Sequence, residues 1–168
     1  MNKNEKTVNY FNALTRESRT LYFDMDGTIA DLYSVKDWLP KLEAGDPSPY
    51  IEARKLVNLC ELGAMCCELK AMGYKIGIVS WLCKGATKEY DKLVRQAKRE
   101  WLKKNFPIRF DEVHIVKYGT PKHYIVKDKN GFLFDDEERN CKGWKGVAVN
   151  AKENDIVEYI ENLLRVLR

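Results

Sequence analysis

The chain has 168 residues, of which 45% are hydrophobic and 32% are charged. This length fits one compact domain with its own core, and the composition excludes collagen, low-complexity disorder and a disulfide mini-protein. The net charge of +4 comes from 29 Lys and Arg against 25 Asp and Glu, and it hints at anionic partners without locating them. No apolar run reaches the about 18 residues that a membrane-spanning helix needs, so we expect no membrane partner.

The polar N-terminus and the cysteines indicate where the protein works. Residues 1–19 form an N-terminal extension without the apolar core of a signal peptide, and residues 20–168 are expected to form one domain. The cysteines are odd in number and contain no CxxC pair, so reduced thiols are expected rather than a zinc site or a disulfide framework. Both observations predict a cytoplasmic protein.

Five short apolar segments alternate with segments of helical periodicity. The predicted strands are residues 20–24, 75–81, 113–116, 131–136 and 146–150. The predicted helices are residues 53–71, 86–105 and 156–167. Because the strands read as apolar runs rather than strict alternation, we expect an α/β fold: a Rossmann-like three-layer sandwich with a mostly parallel five-stranded sheet.

The spacing of apolar residues also predicts which face of each helix packs on the sheet. In the first helix this face is Ala53, Leu56, Cys60, Ala64, Cys67 and Ala71. In the second helix it is Tyr90, Leu93, Val94, Ala97 and Trp101. Prolines between residues 31 and 49 exclude a long helix there, so any cap within 31–72 is expected to be small.

Two aspartates follow the first predicted strand in the sequence Asp24-Met25-Asp26-Gly27-Thr28. Gly27 permits the sharp turn that brings both carboxylates to one crevice. Asp24 is anionic near neutral pH and can act as a nucleophile. An aspartate near a second carboxylate, as Asp26 would be, can have a raised pKa and serve as general acid and then base. The alternative is a turn in which Asp and Gly serve only the backbone geometry.

Two further aspartates, Asp135 and Asp136, end the fourth predicted strand. Such a concentration of negative charge at the end of a buried strand favours a bound hard cation, and oxygen ligands favour Mg²⁺ over zinc. The alternative is a solvated acidic helix start. That alternative accounts for the following Glu137 and Glu138 better than for the two aspartates.

Four other residues are candidates by position alone. The hydroxyl of Ser80, at the end of the second strand, could donate to a phosphate oxygen, although a buried serine bonded to its own backbone is equally typical. Lys122, on a loop after the third strand, could hold both a phosphate and Asp24, although a solvated lysine is the simpler interpretation. Trp38 and Trp81 could stack a base, although packing against the core is the commoner role.

Taken together and in this order, these elements resemble the haloacid dehalogenase superfamily of phosphotransferases over residues of about 20–150. The first motif is an apolar strand followed by DxDGT, here residues 21–28. The second is a strand that ends in Ser or Thr, here Ser80, and the third is a lysine, here Lys122. The fourth is an apolar strand that ends in two acids, here Asp135 and Asp136.

The resemblance implies a role for each of these residues. Asp24 would form an aspartyl-phosphate, and Asp26 would protonate the leaving oxygen and then activate water. Mg²⁺ would be bound by the Asp24 side chain, the Asp26 main-chain carbonyl and Asp135, with Asp136 assisting. The phosphoryl oxygens would be bound by Ser80, Lys122 and the backbone N–H of Met25.

The sequence specifies the substrate class less closely than it specifies the site residues. The stretch FDMDGTIADLY and the later FLFDD are similar to the 5′(3′)-deoxyribonucleotidase branch, which implies a small phosphorylated substrate such as a nucleotide. Thr28, where that branch often has Val, and the small cap depart from its pattern. A polynucleotide 3′-phosphatase and a non-catalytic phosphoryl-binding module are the alternatives.

The excess of positive charge is concentrated in one segment of the sequence. Residues 84–104 carry eight basic against three acidic residues, and we expect these charges on the solvated outer face of a helix. A docking surface for an anionic polymer, such as a nucleic-acid end, is the alternative.

Overall fold

The computed structural model describes residues 19–168, so the extension predicted over residues 1–19 lies outside the described residues except for Arg19. The strands in chain order are β1 Thr20–Phe23, β2 Ala30–Asp31, β3 Arg54–Lys55, β4 Lys75–Trp81, β5 Glu112–Val116, β6 Phe132–Asp135 and β7 Val147–Asn150. Five of them form an all-parallel sheet in the order β5-β4-β1-β6-β7, and β2 pairs with β3 antiparallel. The five predicted strands are thereby confirmed to within one residue at each end.

The helices flank this sheet, which confirms the predicted α/β fold and is consistent with a Rossmann-like three-layer sandwich. Their bounds are α1 Trp38–Glu43, α2 Ser48–Glu52, α3 Leu59–Ala71, α4 Lys88–Asn105, α5 Lys122–Ile125, α6 Glu138–Gly143 and α7 Ile156–Leu167. Among residues 19–168, no helix combines the length and the apolar character needed to cross a membrane.

Both faces of the sheet are buried, which explains why its strands read as apolar runs. Leu21 and Phe23 of β1 lie in the largest apolar cluster, together with residues of α3 and α7. Tyr22, between them, lies in a different cluster with Val126 and Trp144. Successive side chains of a strand point to opposite faces, so a strand that is covered on both sides needs apolar residues at every position.

The predicted buried face of the first helix is wrong. Helix α3 begins at Leu59, where the Asn58 side chain accepts a hydrogen bond from the Glu61 N–H at 3.3 Å. Its buried residues include Leu59, Leu62, Cys66 and Leu69. Of the predicted face, only Ala53 is buried, and it precedes the helix, as does the exposed Leu56. The others, Cys60, Ala64, Cys67 and Ala71, are exposed. Two sets of apolar residues share the helical spacing here, and the set with the larger leucines is the one that is buried, since it removes more apolar surface from water.

The second helix is also corrected, at two positions. Leu93 of α4 is 47% exposed rather than packed on the sheet. Lys98, predicted to lie on the outer face, is buried between Val94 and Trp101 at helical spacing. A lysine can take such a place because its stem is apolar and its ammonium can be satisfied by protein oxygens.

Residues 31–54 form a small insert next to the carboxyl end of β1, within the range predicted for a cap. The pairing of β2 with β3 brings its two ends together. The prolines lie in the first turn of α1 or at the start of α2, where a missing N–H is tolerated. Two hydrogen bonds join the insert to α4: the Tyr90 hydroxyl donates to the Asp46 carbonyl at 3.0 Å, and the Trp101 indole N–H donates to the Ala53 carbonyl at 2.7 Å.

Candidate active site

Three buried carboxylates meet at the carboxyl ends of β1 and β6, which are neighbours in the sheet. Asp24 follows β1 directly, Asp135 is the last residue of β6, and Asp136 comes next. Each offers a carboxylate oxygen, and these three oxygens lie within 4.8 Å of one another. The side chain of Asp24 is 8% exposed and that of Asp135 is 1% exposed, so this negative charge needs a compensating cation.

Lys122 supplies one compensating charge. It is the first residue of α5 rather than part of a loop, and its side chain is 2% exposed. Its Nζ donates to Asp24 Oδ1 and to Asp135 Oδ2, both at 2.6 Å. Burial alone would lower the pKa of Lys122, but the two carboxylates raise that pKa above its ordinary value. Lys122 therefore carries its charge between the two aspartates.

Asp135 and Asp136 bind protons more readily than exposed carboxylic acids do. Burial raises the pKa of Asp135 to about 6, with a further contribution from Asp24 and opposition from Lys122. Burial and then Asp24 also raise the pKa of Asp136. Lys122 beside Asp135, and Lys152 at 3.1 Å from Asp136 Oδ2, therefore do not fully offset the desolvation of these two carboxylates.

The donor set fits a divalent cation such as Mg²⁺. The three clustered ligands are all carboxylates, and hard cations prefer oxygen ligands. Asp135 is oriented by the Glu137 N–H, which donates to its Oδ1 at 2.9 Å, and by the Asn140 side-chain amide, which donates to its Oδ2 at 3.1 Å. Supporting hydrogen bonds of this kind are typical of carboxylates that bind metals.

Asp26 is paired with a second buried lysine, Lys98, rather than with Lys122. Burial and the nearby Asp24 raise its pKa, although Lys98 opposes this shift. Lys98 Nζ donates to Asp26 Oδ2 at 2.6 Å, to the Ser80 hydroxyl at 2.9 Å and to the Trp81 carbonyl at 2.6 Å. The side chain of Asp26 is 18% exposed and lines the cavity, so it can reach a bound substrate.

The turn after β1 depends on Gly27. Its φ of 77° lies in the left-handed region that favours glycine. A Cβ at this position would lie 2.5 Å from Asp136 Oδ2 and 2.8 Å from the Tyr33 ring. Thr28 joins the same two loops, because its Oγ1 accepts a hydrogen bond from the Asp136 N–H at 3.1 Å. The turn thus positions Asp136 as well as Asp26.

A cavity of about 280 Å³ opens beside the carboxylates. Part of its wall comes from the insert, through Trp38, Leu39, Leu42 and Tyr50. Trp81, the last residue of β4, and Tyr118, two residues beyond β5, form another part, and their ring centres lie 5.0 Å apart. An apolar and aromatic wall of this kind suits the apolar or aromatic body of a small ligand.

Trp81 is held firmly in this wall. Its indole N–H donates to the Thr120 carbonyl at 2.7 Å. The Arg139 guanidinium lies 4.8 Å from the centre of its ring, and Lys122 Nζ lies 5.3 Å away. Two cations therefore lie against the Trp81 ring.

Seven predicted site residues line the cavity together: Asp24, Asp26, Trp38, Trp81, Lys122, Asp135 and Asp136. Ser80 and Met25 are not in its wall. Ser80 is fully buried against Lys98, and the Met25 side chain is 1% exposed in the core, which leaves only its backbone for a ligand. Lys98, Asn140 and Arg139 also belong to the site or its support, and none of them was predicted from the sequence. Of these only Lys98 had a signal, since it interrupts the apolar face of its helix.

No protein-family model matches the chain, and no curated protein is significantly similar to it.

Proposed function

We propose that the chain is a Mg²⁺-dependent phosphomonoesterase of the haloacid dehalogenase type that works through an aspartyl-phosphate on Asp24. The observation that carries the proposal is the meeting of Asp24, Asp135 and Asp136 around the buried Lys122, with Asp26 beside them. A phosphoryl-transfer site needs a nucleophile, a proton donor and positive charge for the phosphoryl oxygens. These residues offer all three at one sheet edge.

In the first step, an Asp24 carboxylate oxygen attacks phosphorus. The bond between phosphorus and the leaving oxygen breaks, and that oxygen takes a proton from Asp26. The raised pKa of Asp26, caused first by burial, favours the protonated form that this step needs. The product is an acyl phosphate on Asp24, so one difficult displacement is divided into two easier ones.

In the second step, Asp26 accepts a proton from water as the water oxygen attacks the same phosphorus. The bond between phosphorus and Asp24 breaks, its electron pair returns to the carboxylate, and phosphate is released. Lys122, within hydrogen-bonding distance of Asp24, stabilises the charge on the phosphoryl oxygens. Asp26 ends this step protonated, as it began the first.

The residues that would hold Mg²⁺ are Asp24, Asp135, Asp136 and the main-chain carbonyl of Asp26. When bound, the ion supplies positive charge that offsets the repulsion between these carboxylates and an incoming phosphate. The substrate proposed is a small phosphomonoester, such as a nucleotide, whose body lies against the aromatic wall formed by Trp38 and Trp81. The cytoplasm is the proposed location, since all five cysteines have free thiols.

The test is a phosphate-release screen with Mg²⁺ over nucleoside monophosphates, sugar phosphates and 3′-phosphorylated oligonucleotides. We expect release by the wild type and none by Asp24→Asn, an uncharged variant of nearly the same shape. Unchanged circular dichroism of the variant shows that the fold is retained. A wild type that binds phosphate but releases none from any substrate is a binding module and contradicts the proposal.

A second candidate, a polynucleotide 3′-phosphatase, is favoured by a basic stripe on α4. The stripe consists of Lys88, Lys92, Arg95, Arg99 and Lys103, which follow one another at spacings of three or four residues. It runs beside β5, since Arg95 Nε donates to the Ile115 carbonyl at 3.2 Å. If the stripe binds a nucleic acid, turnover of 3′-phosphorylated oligonucleotides falls steeply with salt. A flat salt response rules this candidate out.

A further inference from the structure

Lys98 is a buried lysine whose hydrogen-bonding capacity is fully used. Its side chain has no exposed surface, and its three N–H donors match three acceptors: Asp26 Oδ2, the Ser80 hydroxyl and the Trp81 carbonyl. The Tyr50 ring of the insert lies 5.1 Å from the same nitrogen. Burying an ammonium is costly unless every donor is paired. Here the three hydrogen bonds join α4 to β4 and to the loop after β1.

The two buried lysines of the site bond to different carboxylates. Lys122 Nζ donates to Asp24 and Asp135, the nucleophile and a proposed metal ligand. Lys98 Nζ donates to Asp26, the proposed proton carrier, at 2.6 Å. Lys98 is too deeply buried to line the cavity, whereas Asp26 reaches it. Lys98 can therefore act on the reaction only through the residues that it holds.

We infer that Lys98 is a positioning residue that fixes the Asp26 carboxylate for both proton transfers, while Lys122 serves the nucleophile. The inference rests on the proposed function. A charge-assisted hydrogen bond to one carboxylate oxygen restricts rotation of the group. The other oxygen remains available to the leaving group and then to water. Proton transfer depends steeply on this geometry.

If Lys98 has this role, its loss should affect the two steps of the reaction differently. Without Lys98, attack by Asp24 on p-nitrophenyl phosphate proceeds, because p-nitrophenolate leaves without a proton. Hydrolysis of the aspartyl-phosphate is slowed, because water must lose a proton to a carboxylate that is no longer held in place. With an alkyl phosphate, whose leaving oxygen needs a proton, the first step is slowed as well.

The experiment is rapid-quench kinetics of Lys98→Met and Lys98→Arg with p-nitrophenyl phosphate and glycerol phosphate. For Lys98→Met we expect a burst of p-nitrophenolate close to one equivalent of enzyme, followed by turnover about 100-fold or more slower than wild type. Glycerol phosphate should give no burst. Lys98→Arg, which keeps the charge and the donors, should recover part of the steady-state rate. The matched control is Lys104→Met, an exposed lysine on the same helix.

The outcomes distinguish this inference from the proposed function. If Lys98→Met loses burst and steady-state turnover in equal proportion, or matches Lys104→Met on both substrates, the positioning role is overturned. If Lys98→Met does not fold, the same burst and steady-state rates are measured on Lys98→Gln, which keeps N–H donors without the charge. A wild type without turnover overturns the proposed function and this inference together, whereas an active wild type with an unaffected Lys98→Met overturns the inference alone.

Discussion

The replacement of Lys122 by methionine tests whether this lysine neutralises the carboxylate cluster. Lys122 makes two hydrogen bonds of 2.6 Å, to Asp24 and Asp135, and all three side chains are at most 8% exposed. Removing one partner of a buried ion pair typically costs about 3–5 kcal/mol. For a chain of this size each kcal/mol lowers Tm by about 2–4 °C, so we expect metal-free Lys122→Met to melt about 6–20 °C below wild type.

Magnesium and pH should both reduce this loss. Mg²⁺ offsets the repulsion that Lys122 no longer offsets, so it should raise the Tm of the variant more than that of the wild type. Asp135 has a pKa of about 6 in the wild type, raised first by burial. Its protonation therefore stabilises the folded state as the pH falls through about 6. The loss of stability in the variant, where no ammonium opposes this charge, should be smaller at pH 5 than at pH 8.

The assay is thermal unfolding followed by circular dichroism, in EDTA and in Mg²⁺, at both pH values. The matched control is Lys142→Met, which makes the same chemical change at an exposed salt bridge to Glu138 and should change Tm little. The reasoning is refuted if Lys122→Met melts like Lys142→Met in EDTA at pH 8.

Three further predictions concern the turn, the cavity wall and the metal. Gly27→Ala should abolish phosphatase activity, because the new Cβ lies 2.5 Å from Asp136 Oδ2, whereas Gly119→Ala, with similar φ and no atom within 4 Å of the Cβ, should keep it. Trp81→Ala should raise KM for nucleoside monophosphates far more than for p-nitrophenyl phosphate, since a lost base stack is worth about 1–3 kcal/mol. EDTA should remove activity and added Mg²⁺ should restore it, measured as phosphate release.

Each of these has a result that counts against it. Equal loss of activity in Gly27→Ala and Gly119→Ala would assign the effect to backbone strain and remove the contact with Asp136 from the account. Equal changes in KM for both substrates of Trp81→Ala would exclude base stacking on that ring. Turnover that resists EDTA would contradict the metal site.

The sheet and the carboxylates could be predicted from the sequence because both depend on short local patterns. A strand such as residues 75–81, buried on both faces, must be apolar throughout, and that run is visible without a structure. The resemblance implied that Asp24 and Asp135 share one site, and they lie close together because the carboxyl ends of the neighbouring parallel strands β1 and β6 meet at one edge of the sheet.

The remaining features depend on tertiary contacts that local patterns do not encode. The buried face of α3 was ambiguous, since two apolar sets share the helical spacing and only packing selects between them. The pairing of Ala30–Asp31 with Arg54–Lys55 is too short to leave a pattern. Lys98 was grouped with the solvated charges of its helix because a lysine is rarely buried, and its three acceptors come from distant segments.

The most direct test of the account is to identify the phosphorylated residue. Wild-type protein is mixed with Mg²⁺ and p-nitrophenyl phosphate, quenched in acid within milliseconds, digested and analysed by mass spectrometry. The account predicts one phosphoryl group on Asp24, absent from Asp24→Asn and longer-lived in Asp26→Asn, because the water that hydrolyses the acyl phosphate then lacks its base. Substrate turnover without any phosphorylated Asp24, or with the phosphoryl group on another residue, would contradict it.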